Sequence, residues 1–192
     1  MRVLITGGAG LTGSECCRLF SQEGWKVISV DNYMRGKLFG KEGNTKNSIR
    51  DLEKTCDIEH HEMDIRDERI RQLIKKADLV IHTAAQPSHP KSIEIPFEDF
   101  QINALGTLFL LENLRKYNPK AAFIFCSTNK VYGETPNYFS YKKVGKRFEP
   151  EDIRLSDGFD EKLRIDMNMH TPFAPFIFTT HRTSYHRFMP IA

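Results

Sequence analysis

Apolar residues fall in short runs separated by longer amphipathic stretches, and this alternation is the first clue to the architecture. Val3-Leu4-Ile5 forms an unbroken apolar run that enters Thr6-Gly7-Gly8-Ala9-Gly10-Leu11-Thr12-Gly13, and a helical pattern follows over Ser14 to Glu23. Lys26-Val27-Ile28-Ser29-Val30 predicts a second strand ending on Asp31, and Ile58 to Met63 predicts a third ending at Asp64. The stretch 32–55 between them is polar and punctuated by glycine, so it predicts a loop. Asp67 is placed to cap a short helix running to Lys75. Ala77 to Ala85 is apolar almost throughout, the mark of a strand buried on both faces of a parallel sheet.

Phe97 to Tyr117 repeats apolar residues at Phe100, Leu105, Leu108, Leu111 and Leu114, a helical stripe expected to cover a sheet face, and Pro119 ends it. Ala121 to Cys126 predicts a fifth strand, which delivers Ser127-Thr128-Asn129-Lys130-Val131-Tyr132-Gly133 at its C-terminal end. Strands alternating with helices predict an α/β fold built on a doubly wound, Rossmann-like parallel sheet. No internal repeat interrupts the pattern.

Composition narrows the class without naming a function. A chain of 192 residues suits one domain, and a net charge of +3 is too small to imply a nucleic-acid partner. The one basic cluster, Lys142, Lys143, Lys146 and Arg147, predicts a solvated loop, with contact to a nucleotide diphosphate as its sharper reading. Cys16, Cys17, Cys56 and Cys126 lack C-x-x-C spacing, which argues against a zinc site or disulfide framework and for reduced thiols in the cytoplasm. No apolar run is long enough to span a bilayer, and the chain opens on a strand where a signal peptide would carry a charged region, so no membrane partner is expected.

The candidate chemistry begins in the first glycine turn. Gly7, Gly10 and Gly13 have the spacing that permits a tight strand-to-helix turn, close approach of the backbone to a pyrophosphate, and close helix packing. The N-terminus of the helix that follows would hold the phosphates. Asp31, at the end of the second strand, can accept hydrogen bonds from an adenosine ribose; its plainer reading is a turn former beside Asn32. A carboxylate there repels a 2′-phosphate, which favours NAD over NADP, while nearby Arg35 points the other way. Asp64 is expected near the adenine edge. The exit of the fourth strand, His82-Thr83-Ala84-Ala85-Gln86-Pro87, uses small residues where a cofactor ribose would pass.

Thr6 to Gly13, Asp31-Asn32, Asp64, Ala84-Ala85, Asn103 with Gly106-Thr107, and Ser127 to Gly133 together resemble the extended short-chain dehydrogenase/reductases of the nucleotide-sugar epimerase and dehydratase type. The resemblance spans roughly residues 1 to 173. With Gly158-Phe159-Asp160-Glu161 and Ile165-Asp166, the string Ser127 to Gly133 is most similar to the CDP-paratose/CDP-tyvelose 2-epimerase branch. The resemblance implies an NAD site formed by Gly7, Gly10, Leu11, Gly13, Asp31, Asn32, Asp64, Ile65, Ala84, Ala85 and Asn103. It also implies a nucleotide sugar, with a CDP-sugar favoured, as substrate, and a homodimer as the assembly of relatives. Thr128 matches the hydroxyl residue that orients the reacting sugar hydroxyl. Related dehydratases carry Asp-Glu where this chain has Asn129-Lys130, and an amide and an ammonium cannot supply the acid and base that elimination needs. Epimerisation, by oxidation and re-reduction at one carbinol carbon, is therefore expected over dehydration.

The family's tyrosine base and its lysine four residues on have no match: Phe173 stands at the first position and Ile177 at the second. Tyr33 to Lys37 and Tyr138 to Lys142 repeat the spacing, but the first lies just after the cofactor aspartate and the second too close to the fifth strand. The stretch 174–192 contains no Asp, Glu, Lys or Gly and does not resemble the family. We expect a dinucleotide-binding domain over 1–173 that lacks the C-terminal part of the fold, followed by an atypical tail over 174–192. A metal site at His170, His181 and His186 is the lesser alternative, since their spacing fits no common zinc pattern. Function then divides between an epimerase lineage of little or no activity and a non-catalytic NAD-binding module, with an NADP reductase a weaker third.

Overall fold

The central strands of the sheet are unbroken apolar runs because both of their faces are covered, while the two edge strands are partly exposed. In the computed structural model, which describes residues 1–127, 135–160, 162 and 163, Leu4 packs on one side of the sheet with Val80, Ile70, Ile74 and Leu110. Val3 and Ile5 pack on the other with Val27, Ile81, Cys17 and Leu52. Side chains of a strand alternate between faces, so two covered faces require an unbroken apolar run. The strands are β1 (Arg2–Thr6), β2 (Lys26–Asp31), β3 (Ile58–Glu62), β4 (Leu79–His82) and β5 (Ala122–Phe125). They form one parallel sheet in the order β3-β2-β1-β4-β5. The order reverses direction between β1 and β4, which creates a crevice at their C-terminal ends.

The chain divides into two compact units, Met1–Cys126 and Ser127–Ala192. The first holds the whole sheet. Within the second, β6 (Tyr141–Val144) and β7 (Arg147–Pro150) pair antiparallel around a turn whose Gly145 has φ 62°. The basic cluster predicted as a loop is therefore a hairpin, its connection closed by the backbone freedom of glycine. The expected boundary between residues 173 and 174, and the whole tail 174–192, lie outside the described residues.

Several elements depart from the sequence expectation. Helix α1 covers Leu11–Gln22, three residues earlier than predicted, because the Gly10 carbonyl already accepts from the Ser14 amide at 2.9 Å. The stretch 32–55 contains α2 (Met34–Phe39), a 3-10 turn (Gly40–Gly43) and α3 (Lys46–Thr55). Helix α3 offers only Ile49 and Leu52 to the core, both buried, and two apolar residues three apart are too few to reveal a period in sequence. The regular helix α4 covers only Ile70–Ile74, with Asp67 accepting from the Arg69 amide at 2.9 Å in the turn before it. Strand β4 is confined to Leu79–His82, which frees Ala84 and Ala85 from the ladder.

The region Phe97 to Tyr117 is divided as well. After the short helix α5 (His89–Glu94) come α6 (Pro96–Phe100), a π-helical turn (Gln101–Leu105) and α7 (Gly106–Tyr117). Phe100, Leu105, Leu108 and Leu111, expected to cover the sheet, are exposed; only Leu114 of that stripe is buried. The buried face runs through Ile102, Asn103, Gly106, Leu110, Asn113 and Leu114. A π turn adds one residue and rotates everything after it, so a 3.6-residue count begun at Phe100 drifts onto the wrong face. Gly106 marks the true contact, since a Cβ there would stand 2.7 Å from the Ile65 side chain.

Candidate functional site

The glycine turn leaves β1 under the backbone of β2. The Gly7 and Gly8 amides both donate to the Val30 carbonyl, at 2.8 and 3.2 Å, and the Gly10 amide returns to the Gly7 carbonyl at 3.0 Å. Gly7 sits at φ 73°, and a Cβ on it would meet the Ala84 amide nitrogen at 2.6 Å. Gly13 is more constrained in space: a Cβ would lie 2.1 Å from the Gly7 carbonyl oxygen. Gly10 differs, with 3.2 Å of clearance and only that same oxygen nearby. Two glycines therefore serve packing, one against the β4 exit and one against the turn itself, while Gly10 keeps the entry to α1 low. No side chain caps α1 and its first turn carries no acidic residue, so its amide end is open to an anion.

These residues form one wall of a cavity of about 250 Å³ at the β1/β4 crevice. Gly7, Gly10, Leu11 and Gly13 line it together with Asp31 and Asn32. Asp64, Ile65, Ala84 and Ala85 also line it. The carboxylate of Asp31 accepts from the Ala9 amide at 3.0 Å and from the Tyr33 amide at 2.7 Å, which ties the glycine turn to the end of β2. Burial pushes its pKa above the usual carboxylate value, and the two amide bonds only partly oppose that.

Asp64 titrates in the opposite direction. Burial alone would raise its pKa, but Arg66 grips it through Nε at 2.8 Å and Nη2 at 2.9 Å, its backbone amide adds a third bond, and the net shift is downward. Asn32 donates to the same carboxylate at 2.8 Å while its own oxygen accepts from the Met34 amide. Asp64 is thus an ionised post at the cavity edge at neutral pH.

Asn103 does not line the cavity. Its side chain instead accepts from the Gln86 amide at 2.8 Å and donates to the Gln86 carbonyl at 3.2 Å, holding from behind the loop that carries Ala85 and Pro87. His82 braces the same region from the end of β4. Thr107 gives its one hydroxyl proton to the Asn103 carbonyl at 2.6 Å, so it can only accept from His82 Nε2, 3.0 Å away. The Thr6 hydroxyl then donates to His82 Nδ1 at 2.7 Å, and the imidazole is neutral with its proton on Nε2. Burial lowers its pKa to about 4.

Thr128, Phe173 and Ile177 lie outside the described residues, as do His170, His181 and His186. Tyr33 is buried in left-handed backbone at φ 52°, its hydroxyl 2.8 Å from His60 Nε2 and committed to that pair. Tyr138 ends a 3-10 turn (Thr135–Tyr138) and Lys142 sits on β6 opposite Glu149. Among the described residues no group of three metal-ligating side chains converges, and the four cysteines are free thiols. No helix there is long and apolar enough to cross a membrane. The sequence reading missed Met34 and Leu38, which line the cavity from α2; their spacing of four was the available signal, hidden because the stretch read as loop.

A parallel sheet in this order, with a glycine turn at its switch point and an acid ending β2, defines the dinucleotide-binding class of doubly wound α/β proteins. The sequence matches the NAD dependent epimerase/dehydratase family over residues 3–150, and the chain belongs to that family. It is similar to CDP-paratose 2-epimerase of Salmonella typhi, 36% identical over 176 residues, covering 90% of this chain and 48% of that protein. A putative UDP-glucose 4-epimerase of Methanocaldococcus jannaschii is also 36% identical, over 71% of this chain and 41% of its own length. Among solved structures, UDP-glucose-4-epimerase from Stenotrophomonas maltophila, with bound NAD and formylated UDP-arabinopyranose, superposes with a TM-score of 0.57 at 29% identity. That match covers 69% of this chain and 38% of the other. The chain spans less than half the length of these relatives.

Proposed function

We propose that this chain binds NAD in the β1/β4 cavity and belongs to the nucleotide-sugar epimerases, with a CDP-sugar as its substrate class and little or no turnover of its own. The observation that carries the reading is the glycine turn, held low by contacts that exclude a Cβ at Gly7 and Gly13 and lining one cavity together with Asp31. In this reading the amides at the start of α1 and the turn hold the pyrophosphate. Asp31 accepts from the adenosine ribose, and Asp64 and Ile65 border the adenine. Ala84 and Ala85 leave room for the second ribose, and Asn103 steadies them from behind.

When bound, NAD supplies a reversible hydride acceptor for a sugar carbinol. Thr128 orients the sugar hydroxyl in this reading, and Asn129-Lys130 favours epimerisation over dehydration. Preference for a CDP-sugar rests on the Salmonella relative, whose similarity extends over 90% of this chain where the archaeal UDP-glucose relative reaches 71%. NAD is favoured over NADP by the Asp31 carboxylate, even though Arg35 also lines the cavity.

Phe173 and Ile177, neither able to move a proton at neutral pH, favour the second reading of a non-catalytic NAD-binding module. Calorimetric titration with NAD and NADP, followed by CDP- and UDP-sugars while the absorbance of reduced nicotinamide is followed, separates the possibilities. Heat from NAD with no sugar conversion supports the module. Slow epimerisation of a CDP-sugar supports the enzyme. Absence of any NAD binding overturns both.

A further inference from the structure

Behind the loop that lines the cavity lies a buried polar cluster that cofactor contact does not use. Gln86, Asp99 and Asn103 are 4%, 1% and 5% exposed. Gln86 is saturated. Its amide and carbonyl are both taken by the Asn103 side chain, its Oε1 accepts from the Ser88 amide at 2.6 Å, and its Nε2 donates to the Ser88 carbonyl at 2.9 Å and to Asp99 Oδ1 at 2.8 Å. Asn103, one turn after Asp99, sends its remaining N–H to the same Asp99 Oδ1 at 3.0 Å. Both amide orientations are thereby determined, since each must turn an N–H toward Asp99.

The other oxygen of Asp99 tells a different story. Oδ2 is buried and has no hydrogen-bond partner among the described residues. Nor, among the described residues, does a cation pair with it: Arg66 pairs with Asp64 and lies 3.8 Å from Glu98, and Lys91 pairs with Glu94. An ionised carboxylate would leave full charge on a dry, unpartnered oxygen, at a large desolvation cost. A neutral acid costs less there: Oδ1 stays the carbonyl accepting two N–H bonds, and Oδ2 carries the proton, an unpaired hydroxyl in place of an unpaired charge. Burial shifts the Asp99 pKa upward, in the same direction.

We propose that Asp99 is a positioning residue that works as the neutral acid, its Oδ1 locking Gln86 to Asn103 so that Ala85 and Pro87 are held as one wall of the cavity. This rests on the reading of the cavity as an NAD site only for its consequence, since the lock itself is a property of the apoprotein. Asp99 touches no ligand in this scheme; it acts through Gln86.

Three measurements test it. The infrared carbonyl stretch of a protonated carboxylic acid is expected in the parent at neutral pH and is lost in Asp99→Asn. Hydrogen exchange at the Gln86 amide is expected to be slow in the parent and in Asp99→Asn, whose amide keeps an acceptor at Oδ1, and faster in Asp99→Leu. NAD affinity is expected to fall about tenfold in Asp99→Leu, the scale of losing a buried hydrogen-bond pair, and to be rescued in Asp99→Asn. Absence of the infrared band, or an Asp99→Asn variant that exchanges as fast as Asp99→Leu, overturns the proposal. If the parent fails to bind NAD, the cofactor reading falls, while the infrared and exchange results still judge the lock.

Discussion

A methyl group on Gly13 would stand 2.1 Å from the Gly7 carbonyl oxygen, against backbone that cannot step aside. On Gly10 the same methyl meets that oxygen at 3.2 Å, and φ of −73° suits alanine. The two substitutions should therefore separate folding from binding. Gly13→Ala is expected to cost about 1–3 kcal/mol of stability, as overpacking does. Gly10→Ala is expected to cost only about 0.5 kcal/mol, the difference between glycine and alanine at a helix N-cap. Thermal melts check the first pair of values, and NAD titration should show weakened binding in both, since a methyl at Gly10 projects where the phosphates would lie. The spacing of these glycines was plain in the sequence. Their separate duties were not, because each depends on which backbone segment lies across from it: Ala84 for Gly7, the turn itself for Gly13.

Helix α7 shows how an element can be recognised and still be turned the wrong way. Its helical character was legible from apolar periodicity, but its buried face is marked by Gly106 and Asn113, and by Asn103 in the π turn before it, as much as by leucine. Asn113 fits there because its oxygen accepts from Arg71 Nε at 3.0 Å and its nitrogen donates to the Phe109 carbonyl at 2.7 Å. Leu110→Ala is expected to destabilise by about 2–5 kcal/mol, as for a fully buried leucine. Leu108→Ala, on the exposed side, should change stability by no more than about 0.5 kcal/mol. Urea unfolding of the two variants measures both, and equal effects would restore the stripe predicted from the sequence. Helix α3 escaped notice for the converse reason: its surface is so charged that Ile49 and Leu52 carry no visible period, yet both are buried against the α1 side of the sheet.

Across the molecule, one hydrogen-bonded chain joins the glycine turn, the end of β4 and α7: Thr6 to His82, His82 to Thr107, and Thr107 to Asn103. His82 must stay neutral for both of its bonds to hold. Its pKa is lowered from 6.5 to about 4 by burial, so between those values the unfolded chain binds a proton that the folded chain refuses. Stability from this group is complete above about pH 6.5, declines as the pH falls, and is fully lost below about pH 4, a change of roughly 3 kcal/mol. Urea midpoints measured across that window for the parent and for His82→Gln should differ in slope, the variant having no imidazole to titrate. Parallel slopes would show that His82 is not held as described.

The strand positions, the glycine turn and the acids at the strand ends followed from local chemistry: strand periodicity, φ freedom and charge all act within a few residues, and five parallel strands were readable from that alone. The face that α7 buries, the helix hidden in a polar stretch, and the lock of Gln86 between Asp99 and Asn103 depended on folding. Each is settled by which partner arrives from elsewhere in the chain, and hydrogen bonds between residues 13 to 76 positions apart leave no trace in the local pattern.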